Sequence, residues 1–154
     1  MNTVRLLEPG GLAFGIRADG KRQALAAVAS LASRNFGIPS QKIMDALVAR
    51  ESEGSTGVGR GVALPHARLP ELDRMRAVFL RLEAPVAFDA VDDQPVDLLF
   101  ALFAPIDSGS EHLRTLARVS RLLRQSDIRE HLRQAHTADA LYAMLVQEAA
   151  VSAA

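Results

Sequence analysis

The stretch VDLLFALFA, residues 96–104, decides the fold. Apart from Asp97 it is apolar at odd and even positions alike, and a strand, whose side chains alternate between two faces, carries that pattern only when both faces are covered. It reads as a central buried strand. RAVFLRLE, residues 76–83, alternates as a neighbouring strand should, with Val78, Leu80 and Leu82 on one face. Leu12 to Ile16, after a short N-terminal turn, is a further candidate strand. GVALPHA, 61–67, is extended and apolar, and Pro65, which cannot donate to a ladder, is expected to end any strand there.

Helical spacing fills the segments between. Asp19 is a candidate N-cap for a helix from Lys21 to Asn35 that buries Leu25, Val28, Ala29 and Leu31 or Ala32. Ser40 starts a second helix with the stripe Ile43, Met44, Leu47 and Val48, stopping before Gly54. Three more are expected at 110–125, 127–134 and 138–148, with Ser108 or Ser110, Ser126 and Thr137 as caps. The expected class is α/β, a mixed β-sheet flanked by helices on both faces. The 154 residues, 49% of them hydrophobic, suit a single domain spanning 1–154, and no Pro, Gly or Ser-rich linker divides it.

Charge and composition narrow the function classes. Eighteen basic and eighteen acidic residues cancel, so no global field draws the chain to nucleic acid or to an anionic membrane. Cysteine is absent, which removes disulfides, thiolate metal sites and thiol nucleophiles. The N-terminal segment has no signal-peptide core and the apolar runs are too short to span a bilayer, so a cytoplasmic protein without membrane insertion is expected.

The chemistry is concentrated in GSTGVGRGVALPHAR, residues 54–68. Gly54 and Gly59 have P-loop spacing, but Arg60-Gly61 stands where Lys and Ser or Thr are needed. A dinucleotide-binding turn fails on context, because this run leaves a helix and enters a strand. His131 and His136 lack the companions of a metal site and read as helix-surface residues, so neither metal nor cofactor is expected. No GxSxG elbow supports a serine hydrolase. What remains is His66 itself. A neutral imidazole can attack phosphorus and hold a phosphoryl group, given close access, cationic or amide donors and a ring fixed by hydrogen bonding. Small Ala63 and Ala67 leave room around it, and with Leu64 they suggest an apolar docking rim. A capped histidine at a strand end fits the same residues, and spacing alone leaves both readings open.

RESEGSTGVGRGVALPHA resembles the phosphorylation signature of phosphotransferase-system enzyme IIA domains of the fructose, mannitol and nitrogen type, with Gly59, Gly61, Ala63, Pro65 and His66 at its fixed positions. DAVDDQPVDLLFALFAP and SEHLRTLARVSRLL are similar to later blocks of that family. The resemblance implies the enzyme IIA sandwich, His66 as phosphoryl acceptor on Nε2, and Arg50 and His112 as residues that stabilise the phosphoryl group. The bland alternatives are an Arg50 ion pair with Glu51 or Glu53 and a surface His112. The free-standing nitrogen-regulatory branch is the most similar. It implies an HPr-like phosphocarrier protein as donor and regulated targets such as potassium transport or sensor proteins. Two alternatives stand beside it: a separate sugar-transport IIA subunit passing phosphate to a IIB partner, and a non-catalytic binding module on the same fold. Arg60 and Arg68 make the rim cationic. Arg114, Arg118, Arg121, Arg124, Arg129 and Arg133 on the last helices read as a solvated face or a partner-docking surface.

Overall fold

The computed structural model describes residues 6–153, with side chains from 6 to 145. In chain order the elements are β1 (Leu7–Ile16), α1 (Lys21–Phe36), α2 (Ser40–Glu51), β2 (Gly57–Gly59), β3 (Val62–Ala63), β4 (His66–Arg68), β5 (Arg76–Val86), β6 (Val96–Ala104), α3 (Glu111–Leu123), α4 (Ser126–Gln134) and α5 (Ala138–Ala153). The six strands form one mixed sheet in the order β1-β5-β6-β3-β2, with β4 also on β6. β5 runs antiparallel to β6, whereas β3 and β4 run parallel to it on its other side.

The two-sided apolarity of β6 is satisfied by two cores. Leu99, Ala101 and Phe103 join Val78 and Leu80 of β5 under α1 and α2, packing on Leu25, Val28, Ile43 and Leu47. Leu98, Phe100 and Leu102 join Phe79 on the opposite face against Val119 and Leu122 of α3, Leu132 of α4 and Leu141 of α5. Each such side chain taken out of water contributes about 1.5–3 kcal/mol before the entropy of ordering it. The expected class, a mixed sheet covered by helices on both faces, is the one observed.

Details differ where backbone geometry overrides pattern. β1 starts at Leu7 because irregular register between Leu7 and Leu12 lets Gly10 and Gly11 run within a strand. The α1 N-cap is Gly20, and Asp19 contributes its N–H, which donates to Gln23 Oε1 at 2.7 Å. α2 begins at Ser40 as expected, whereas Gln125 takes the cap position expected of Ser126, which becomes the first residue of α4. Ser110 caps α3 by position without a side-chain bond, whereas Thr137 Oγ1 does accept from Ala140 N–H at 3.0 Å. Of the α2 stripe, Ile43 and Leu47 are fully buried and Met44 and Val48 only partly.

Pro65 interrupts its strand and does not end it. β3 pairs with Leu98 and Leu99, the Pro65 carbonyl still accepts from Leu102 N–H at 2.9 Å, and β4 resumes on β6 with His66 opposite Leu102. The missing proline N–H costs one ladder bond only. No helix among the described residues is long and apolar enough to cross a membrane.

Candidate functional site

The glycines of the quoted loop serve a hairpin. Gly59 pairs with Val62 across β2 and β3, and the two residues between, Arg60 and Gly61, have φ of 60° and 81°. This is the left-handed pair that a two-residue hairpin turn demands. A side chain at 61 would meet the Arg133 guanidinium. Arg60, which pays for a left-handed φ as a non-glycine residue, is held by its N–H donating to Asp92 Oδ2 at 2.8 Å and its carbonyl accepting from Arg133 Nη2 at 2.9 Å. The hairpin therefore folds back on itself and delivers the chain to Pro65.

His66 is where that geometry ends. With the ladder broken at Pro65, the Leu64 carbonyl turns to the His66 ring and lies 2.9 Å from Nδ1. Nε2 faces the other way and accepts from Arg50 Nε at 3.0 Å. Those partners are compatible with the tautomer that carries its proton on Nδ1 and its lone pair on Nε2. The half-buried ring opens on a depression bounded by Arg50, Val58, Leu116, Ala117 and Ser120. Arg50 closes the C-terminal turn of α2, and its Nη1 donates to Gly54 O at 3.0 Å.

The ion pair between Arg50 and Glu51 does not form. The Glu51 side chain is turned inward, 6% exposed, and pairs with Lys21 Nζ at 2.7 Å. It also accepts from Thr56 N–H at 3.1 Å and from the Thr56 hydroxyl. Lys21 lies over the Phe88 ring. This cluster, which sequence reasoning missed, clamps the segment whose Gly54 carbonyl orients Arg50. Breaking a fully buried ion pair costs about 3–5 kcal/mol. Lys21 keeps 23% side-chain exposure, so Glu51→Ala is expected to lose about 2–3 kcal/mol in urea unfolding, and Glu51→Gln less. An unchanged unfolding midpoint in both variants would show that the clamp carries no stability.

His112 sits in the first turn of α3, its ring centroid 5.2 Å from that of His66. It is 6% exposed, which corrects the surface alternative, and its Nδ1 has no hydrogen-bond partner among the described residues. Arg68 sets the entry to this helix: Nη1 donates to Ile106 O at 3.0 Å and to Ser108 Oγ at 2.9 Å, and Nη2 to Gly109 O. His131 and His136 are exposed and stand apart from this pair. Ala63, Leu64 and Ala67, expected as an apolar rim, are core residues at 8% exposure or less. The exposed apolar side chains along this side of α3 and β2 are Leu113 and Val58. The C-terminal arginines also divide. Arg129 is buried and caps α3 through Leu123 O and Arg124 O, and Arg133 pairs with Asp97 at 2.9 Å.

Both rings are held neutral. Burial lowers His66 below its ordinary 6.5 and the Arg50 charge adds to that, against the opposing bond to the Leu64 carbonyl. Burial, the neighbouring His66 and the Arg68 charge push His112 down to about 4. A histidine whose folded pKa is depressed contributes stability above its unfolded value of about 6.5 and loses it on acidification, because the unfolded chain binds the proton first. Ring C–H shifts followed by NMR should therefore show His112 neutral until about pH 4, with stability declining from pH 6.5 downward. Titration of His112 near 6.5 would contradict its burial.

Residues 6–148 match the family model for the phosphoenolpyruvate-dependent sugar phosphotransferase system, EIIA 2. The nitrogen regulatory protein of Bradyrhizobium diazoefficiens is 40% identical over 153 residues, 99% of this chain and 100% of that one. The nitrogen regulatory protein of Escherichia coli is 43% identical over 132 residues, 84% of this chain and 80% of its own. The crystal structure of nitrogen regulatory protein IIA-Ntr from Neisseria meningitidis superposes with a TM-score of 0.87 at 31% identity, covering 93% of this chain and 98% of that chain. By matched length, identity and fold, the chain belongs to the EIIA 2 family of the phosphoenolpyruvate-dependent sugar phosphotransferase system, and so to its phosphotransferase components.

Proposed function

We propose that this protein is a cytoplasmic phosphohistidine carrier that accepts a phosphoryl group on His66 from an HPr-like protein and acts chiefly as a regulator of the nitrogen branch. One observation carries the reading: the His66 ring has Nδ1 at the Leu64 carbonyl and Nε2 beside the Arg50 guanidinium, at a depression open to solvent. In the transfer, the Nε2 lone pair forms a bond to phosphorus as the donor's nitrogen–phosphorus bond breaks, its electron pair returning to the donor imidazole. The proton on Nδ1 stays where it is. Arg50, a planar donor fork with a permanent charge, moves from the ring nitrogen to the phosphoryl oxygens. His112 offers an N–H from the first turn of a helix, where the dipole favours an anion.

Regulation as the principal output is supported by the nitrogen regulatory proteins among the near-full-length relatives. Incubation with phosphoenolpyruvate, an enzyme I-like kinase and the HPr-like carrier should add one acid-labile phosphoryl group per chain. Adding a IIB domain of a sugar transporter then separates the branches. A phosphoryl group that stays on the protein supports the regulatory reading, and rapid loss to the IIB domain supports the sugar-transport one. Failure to label at all would leave the non-catalytic binding module.

A further inference from the structure

A hollow of about 330 Å³ between the β2–β3 hairpin and α3 contains none of the residues assigned to phosphoryl transfer. Buried Val62 and Leu123 make its floor, Arg60 stands on the hairpin wall, and Ser120 and Arg124 stand on the helix wall. Ligand pockets of about 300–1,000 Å³ take small molecules, and this one lies at the lower end. The charge around it is unbalanced. Among the described residues no carboxylate pairs with Arg60, Arg124 or Arg129. Arg129 is buried, and its Nη1 donates to the Leu123 and Arg124 carbonyls, so a cation with neutral partners stands behind the helix wall. Burial and then the charges of Arg60 and Arg133 lower its pKa, which puts the three guanidinium groups in one another's field. Arg133 has a counter-ion in Asp97 at 2.9 Å. Asp92 accepts from the Arg60 and Gln94 backbone N–H groups and lies outside the lining. The hairpin thus carries an unpaired arginine at a φ of 60°, where glycine would be least strained, and such strain points to a side chain with a task.

We propose that this hollow binds a short aliphatic dicarboxylate, with one carboxylate on Arg60, the other on Arg124 and the Ser120 hydroxyl, and the methylene chain over Val62 and Leu123. The site does not depend on the reading of His66 as the acceptor. A guanidinium is a planar fork that takes a carboxylate through two parallel hydrogen bonds, so two forks on facing walls call for two anionic groups. The apolar floor selects what joins them. A sugar phosphate would set hydroxyl groups against Val62 and Leu123, where no polar group answers them, and a free phosphate ion would leave that floor uncovered. Two bound negative charges also offset the positive charge that Arg129 adds from behind the wall, which its neutral carbonyl partners leave in place.

Isothermal titration calorimetry of the full chain with glutarate tests the site, and saturable binding of one ligand per chain is expected. Pentanoate has the same chain length with a methyl group in place of one carboxylate, and should bind about tenfold more weakly because one set of charge-assisted bonds is lost. Arg60→Gln and Arg124→Gln should each weaken glutarate to about the level of pentanoate, and together abolish saturation. Arg60→Gln should keep the hairpin, since Asp92 and Arg133 hold residue 60 through its backbone N–H and carbonyl. In NMR spectra recorded with glutarate, the methyl signals of Val58, Val62 and Leu123 should move. His66→Ala should bind glutarate as the wild type does, so that failure of the acceptor reading and failure of this site are told apart. No saturation at millimolar glutarate, an affinity no better than that for pentanoate or inorganic phosphate, indifference to both arginine changes, or methyl shifts confined to other parts of the protein would overturn the proposal.

Discussion

His66→Ala is expected to take up no phosphoryl group from the upstream carrier, against one per chain in the wild type. The loss should be complete, because none of the other histidines combines an open ring nitrogen with a cationic partner. His112 is 6% exposed, with its Nδ1 buried and unpartnered among the described residues. His131 and His136 are exposed on and after α4 and do not line the depression at His66. The variant should fold normally. It gives up the bonds to Arg50 and Leu64, but the ring is only half-buried and the strand pairing of β4 with β6 is made by backbone. Radiolabel transfer with circular dichroism as a control checks both halves of this expectation. Residual labelling of a folded variant would mean the acceptor lies elsewhere.

Arg50→Ala should leave His66 in place and slow its phosphorylation by about 100- to 1,000-fold, the usual cost of one preorganised electrostatic donor. Two features set that magnitude. The guanidinium already lies against Nε2, 3.0 Å away, and is anchored by Gly54 O, so little reorganisation is needed when the phosphoryl group arrives. The depression is open, so water substitutes in part and the effect should fall toward the lower end of the range. Arg50→Lys keeps the charge but loses the fork, and should recover only part of the rate. Single-turnover transfer from the phosphorylated carrier measures this directly. A rate within twofold of wild type in Arg50→Ala would reduce Arg50 to a residue that closes α2.

Much of this architecture is legible in the sequence because it rests on patterns that backbone geometry imposes. The run from Val96 to Ala104 is apolar on both faces, and a buried central strand is the arrangement that satisfies it, so helices on both sides follow. His66 stands out because glycines and Pro65 surround it. What escaped the reading depends on partners far along the chain. Nothing around Lys21 in the sequence marks it as more than a helix start, yet it turns inward to Glu51. His112 reads as a surface histidine unless the resemblance is invoked, because its burial depends on Arg68 tying the Ile106–Gly109 segment. The arginines of the last helices look alike in sequence, but Arg129 donates to helix-terminal carbonyls while Arg124 lines a hollow between the β2–β3 hairpin and α3. The β1 start was obscured by Gly10 and Gly11, which read as a turn where an irregular register keeps the strand going.

Long-range nitrogen–proton and nitrogen–phosphorus NMR on the phosphorylated protein tests the central claim most directly, since it reports which atom carries phosphorus and which carries the proton. With Nδ1 at the Leu64 carbonyl and Nε2 at Arg50, phosphorus should couple to Nε2 of His66 while Nδ1 keeps its proton. Phosphorus coupled to Nδ1 of His66, or to any other residue, would contradict the account.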